Sequence, residues 1–81
     1  MAPTIITNGK ITFSFYSNDH RPIHVHVKMA GKELKINIET LTIIDNHGFN
    51  SHDVRKILKM AKDRQQYIID QWIAFFKDEI I

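Results

Sequence analysis

Residues 23 to 39 read IHVHVKMAGKELKINIE, and no other stretch constrains the fold as much. Ile23, Val25, Val27 and Met29 alternate with His24, His26 and Lys28; beyond Ala30-Gly31, Leu34, Ile36 and Ile38 alternate with Glu33, Lys35, Asn37 and Glu39. Period-two alternation marks a half-buried strand. A two-residue turn at Ala30-Gly31 then sets the register. Val25 faces Ile36, Val27 faces Leu34 and Ile23 faces Ile38, while His24 lies opposite Asn37, His26 opposite Lys35 and Lys28 opposite Glu33. Both faces are chemically matched, and a slip of one residue would turn every apolar side chain to the polar side. An antiparallel hairpin follows.

Further strands flank it. Ile11, Phe13 and Phe15 alternate with Thr12, Ser14 and Tyr16, and Thr4 to Thr7 offers a shorter strand turned into the next by Asn8-Gly9. Leu41 to Ile44 offers another, ended by the Asp45 to Gly48 turn. After Ser51 the period changes. At about 100° per residue, Val54, Ile57, Leu58, Ala61, Ile68, Ile69, Trp72, Phe75 and Phe76 share one arc, with Ser51 as the expected N-cap and Asp53 in the first turn. An unbroken helix of about 28 residues would run about 42 Å, too long for so small a sheet. Gln65 interrupts the apolar stripe and marks the expected break. The expected fold is α+β: a small antiparallel sheet of three to four strands (4–44) packed against a C-terminal helix or kinked helix pair (51–79), in one domain spanning 1–81.

The chain has no cysteine, which excludes disulfides, thiolate zinc sites and cysteine nucleophiles. No apolar run reaches the roughly 18 to 20 residues of a membrane span, and Met1-Ala2-Pro3-Thr4 lacks the basic and apolar stretches of a signal peptide. A cytoplasmic protein without membrane contact is expected. Its net charge of +2 is compatible with an acidic partner.

Chemistry concentrates at Asn18 to His26, which holds three of the five histidines. His24 and His26 emerge on one face, with His20 and Arg21 entering from a turn that Pro22 stiffens. One reading is an ordinary solvent-facing sheet surface. A metal site built from His20, His24, His26 and Asp19 is a second. Lys35 opposite His26, with Lys28 and Arg21 nearby, repels a cation, and no carboxylate on the strand is evident to orient the rings, so no metal or other cofactor is expected. The third reading uses the same cations: Asp19, His20, Arg21, Lys28, Lys35 and Asn37 as a face for RNA or another phosphate-bearing ligand, with Tyr16 near enough to stack on a base. His24 and His26 could then serve as acid and base of a metal-independent ribonuclease. On the helical part, Trp72 sits at the centre of the apolar arc, whereas Ile73 falls outside it. With Phe75, Phe76, Ile80 and Ile81 it suggests a surface for a protein partner or a second copy; Trp72, Ile73 and Phe76 are the candidate contacts.

The segment Asn18-Asp19-His20-Arg21-Pro22-Ile23-His24-Val25-His26-Val27 resembles the N-D-H-x-P-P-H-x-H-V signature of a small prokaryotic family catalogued as a domain of unknown function. Pro3-Thr4-Ile5, Ile38-Glu39-Thr40 and Trp72 add to the likeness, and Ile23 stands where the family usually has a second proline. The resemblance singles out Asp19, His20, Pro22, His24 and His26. It implies a cytoplasmic protein working with a partner, in gene pairs of toxin–antitoxin or regulatory type. The expected function is a small binding or regulatory protein of such a pair whose His/Lys face contacts RNA or another phosphate. The alternatives are the ribonuclease and a protein-only inhibitor or adaptor.

Overall fold

The computed structural model describes residues 4–77. Pro3, positions 78 and 79 of the expected helical region, and Ile80 and Ile81 lie outside them. Among the described residues the chain is an antiparallel meander followed by two helices: β1 (Thr4–Asn8), β2 (Ile11–Ser14), β3 (His24–Met29), β4 (Lys32–Asn37), β5 (Thr42–His47), α1 (Ser51–Asp63) and α2 (Gln65–Phe76). The sheet order is β1-β2-β3-β4-β5, five strands where three to four were expected. The fifth arises because Thr4 to Asn8 pairs with β2, with a register shift between Thr4 and Ile6, and so counts as a strand in its own right.

The β3–β4 register is the one the side chains dictate: Val25 pairs with Ile36, Val27 with Leu34, His24 with Asn37, His26 with Lys35 and Lys28 with Glu33. Ala30 and Gly31 turn the hairpin with φ of 50° and 79°, the two left-handed residues of a type I′ turn. The first hairpin turns one position later than expected. Asn8 still pairs with Ile11, and the loop is Gly9-Lys10, with φ of 63° at Gly9, the glycine-first pattern of a type II′ turn. β5 runs to His47 rather than Ile44, beyond a register shift between Lys35 and Ile36.

Phe13, Phe15, Ile23, Val25, Val27, Leu34, Ile36 and Ile38 bury against Ile57, Ala61, Ile68 and Trp72. The cap of α1 is Asn50, whose side chain accepts from the Asp53 amide at 2.8 Å; Ser51 is the first helical residue. The expected break falls at Arg64, between Asp63 and Gln65. Its cause is polar. Gln65 donates from Nε2 to the Ile38 carbonyl at 2.7 Å, tying the helix junction to the end of β4. The half-buried Gln65 thus supplies a donor to a backbone carbonyl just past the end of β4. Among the described residues no helix is long and apolar enough to cross a membrane.

Candidate functional site

The polar face of β3 is not open to solvent. His24 is 4% and His26 5% exposed, which overturns the reading of two solvent-facing sheet residues. The segment between β2 and β3 folds back over them. Its first half is pinned by a reciprocal pair: the Asp19 amide donates to the Tyr16 carbonyl at 2.9 Å, and the Tyr16 amide donates to Asp19 Oδ2 at 2.8 Å. That turn delivers the Asp19 carboxylate between the two imidazoles and lays the Tyr16 ring flat on His26, centroids 3.8 Å apart. From the other side, the Trp72 ring of α2 comes within 5.4 Å of His24.

The two histidines differ in their partners. Asp19 and Glu33 meet the two nitrogens of His26: Nε2 is 3.1 Å from Asp19 Oδ1 and Nδ1 is 3.2 Å from Glu33 Oε2. Carboxylates only accept, so both contacts are hydrogen bonds when both ring nitrogens carry hydrogen. Glu33 is itself held by the Tyr16 hydroxyl, which donates to Oε1 at 2.9 Å. His24 Nδ1 lies 2.7 Å from the Pro22 carbonyl and must be the donor there. Its Nε2 lies 3.2 Å from Asp19 Oδ1 but off the hydrogen-bonding direction, and it is a buried nitrogen without a hydrogen-bond partner among the described residues. Burial pushes the Asp19 carboxyl up. The Tyr16 amide, the His26 hydrogen bond and the charges of His24 and His26 outweigh it and hold the group below the usual carboxylate range.

Around this buried cluster, Asn18, His20, Arg21, Lys35, Asn37 and Ile44 ring a shallow depression of about 400 Å³ that Asp19 and His24 also border. The expected ligand face is therefore brought together in large part. Lys28 is not with the others. Its Nζ sits 4.9 Å over the Tyr16 ring and 3.9 Å from Glu33 Oε1, beyond the tyrosine, and the contact with Tyr16 raises its pKa. Tyr16, read as a platform for a base, has one face on His26 and Lys28 over its ring. Asn37 is first a turn former, its Oδ1 accepting from the amides of Glu39 and Thr40. His20 is exposed, and Asp19 rather than His20 joins the two strand histidines.

Two site residues escaped the sequence. Glu33 stands opposite Lys28 in the register, yet its carboxylate reaches diagonally to His26. The signal existed, since a residue two places along the facing strand lies within reach of a long side chain. The assumption of a strand face without an orienting carboxylate fails on this one residue. For Tyr16 the sequence suggests a stacking platform but not this role, because its bond to Glu33 depends on a loop path that no pattern encodes.

On the helical side, Trp72 is 1% exposed and packs edge-on against Phe15 at 5.3 Å, so it belongs to the core rather than to an exposed surface. Ile73 and Phe76 are half-buried, and Phe75, expected inside the stripe, is 42% exposed.

Fold and site together define a small α+β protein with a buried histidine–carboxylate cluster beneath a basic-rimmed depression. The chain belongs to the DUF4160 family, a domain of unknown function, whose profile matches residues 11–73. That match takes in the whole cluster, from Tyr16 through Glu33, and Trp72. No curated protein and no solved structure matches the chain.

Proposed function

We propose that this protein is the binding component of a two-protein regulatory pair of toxin–antitoxin type, and that it takes RNA or another phosphate-bearing ligand at the depression beside His24. One observation carries the ligand class: His20, Arg21, Lys35 and Asn37, donors with three basic side chains among them, border one concave surface. Such a set suits phosphate oxygens. The pairing with a second protein rests on the family resemblance and on α2, where Phe75 is exposed and Ile73 and Phe76 are half-buried.

Binding is favoured over cleavage. A general acid and base must reach the bound ester, whereas His24 and His26 are covered and His26 has a carboxylate at each nitrogen. The metal-independent ribonuclease would need the 15–23 segment to open.

The test is an amide-detected NMR titration with a short single-stranded RNA at two salt concentrations. Shifts gathered at His20, Arg21, Lys35 and Asn37, weakening as salt rises and lost in Lys35→Ala, are the expected result. A spectrum that does not respond, or responds equally at low and high salt, removes the phosphate ligand and leaves the protein-only adaptor.

A further inference from the structure

We propose that Asp19, His24 and His26 form a binding site for a divalent transition metal of the zinc type, with Asp19 Oδ1 and the Nε2 atoms of both histidines as ligands. The site does not depend on whether the rim above it takes a phosphate.

Geometry is the first support. The three ligand atoms lie within 4.8 Å of one another, and the two histidine nitrogens are 3.1 and 3.2 Å from Asp19 Oδ1. Nitrogen and oxygen ligands at about 2.0–2.2 Å from a tetrahedral cation are about 3.3–3.6 Å apart. The two nitrogen–oxygen separations already lie close to that spacing.

The second support is the unpartnered nitrogen. Because Nδ1 of His24 donates to the Pro22 carbonyl, the neutral ring carries its lone pair on Nε2. That atom is buried, has no hydrogen-bond partner among the described residues and sits 3.2 Å from a carboxylate oxygen. Nε2 is not aimed at that oxygen, so a proton on it makes no good hydrogen bond there, whereas a cation lying between the two atoms satisfies both.

The third is the ring of outer contacts. Metal-bound histidines give their other nitrogen to a carbonyl or carboxylate, which fixes the ring. His24 has the Pro22 carbonyl, and His26 has Glu33, itself held by Tyr16. Both outer contacts are in place. Lys35 is the argument against, being paired with His26 in the register. It also pairs in register with Asp45 of β5, where its charge is felt by that carboxylate, and the two carboxylates Asp19 and Glu33 balance a dication. Two imidazoles and one carboxylate leave a remaining position for water or a ligand oxygen from the depression that Asp19 and His24 border.

The experiment uses the full chain, stripped with a chelator and titrated with Zn²⁺ in calorimetry. One saturable equivalent is expected, weakened at least about 100-fold in His24→Ala and about 10- to 100-fold in Glu33→Gln, which touches only an outer contact. His47→Ala, which breaks the exposed pair with Asp45, should leave binding unchanged. Loss of fold in a variant is bypassed by long-range nitrogen NMR of the unmodified protein, where the Nε2 signals of His24 and His26 should move on adding Zn²⁺. The proposal is overturned by the absence of a saturable equivalent, by ring signals of His24 and His26 that stay in place, or by binding that follows His47 instead.

Discussion

Replacing Asp19 with alanine should destabilise the metal-free protein by about 3 kcal/mol at pH 7, although Asp19 lies in a loop. The substitution removes the acceptor of the Tyr16 amide at 2.8 Å and one of the two carboxylates on His26. Leaving a buried group without its hydrogen-bond partner costs about 1–3 kcal/mol, and the Tyr16 amide and His26 Nε2 both lose theirs. The sum stays toward the low side because Glu33 still faces His26 Nδ1. Asp19→Asn keeps an acceptor for the Tyr16 amide but loses the charge, and about 1–2 kcal/mol is expected from the weaker hydrogen bonds. The control is Asp45. Its contact with His47 is shorter, 2.8 Å, yet the two side chains are 57% and 70% exposed, so Asp45→Ala should change stability by nothing measurable. Urea unfolding followed by far-ultraviolet circular dichroism, with chelator present, reads the difference. With a slope of about 1 kcal/mol/M for a chain this size, the Asp19→Ala midpoint should fall by about 3 M. Equal midpoints for Asp19→Ala and Asp45→Ala would refute the reasoning, because burial would then not be what gives the Asp19 contacts their weight.

Acid should act through the same carboxylate. With its folded pKa below the ordinary 3.8, Asp19 contributes stability that is complete above the unfolded value and disappears as pH falls through the folded one. Unfolding curves at pH 5, 4 and 3 should therefore converge for the unmodified protein and Asp19→Asn. Ala30 holds φ at 50° in the first position of the β3–β4 turn, a conformation that asparagine tolerates better; Ala30→Asn should stabilise by about 0.5–1 kcal/mol, measured as a raised midpoint with unchanged slope. Gln65→Ala leaves the Ile38 carbonyl without its 2.7 Å donor and should lower stability by about 1–2 kcal/mol, with hydrogen exchange fastest at the α1–α2 junction.

The sequence by itself determined the parts that depend on neighbours along the chain or on one strand pair. Alternation and a two-residue turn leave one register that matches both faces of β3 and β4, so Val25 against Ile36 and His26 against Lys35 could be written down in advance. The helix break was legible for a similar reason: Gln65 is a polar residue in an otherwise apolar phase, and the structure gives it a backbone carbonyl. Burial of the histidines was not legible. Period two assigns His24 and His26 to a polar face, and a polar face is normally wet. Only the return of the segment after β2, with Asp19 and Tyr16, and the approach of Trp72 from α2 close that face. Those contacts join residues whose proximity depends on loop path and helix docking, not on local pattern. The same closure makes a carboxylate–histidine cluster of residues that, read along the chain, were a turn, a strand and the far side of a hairpin.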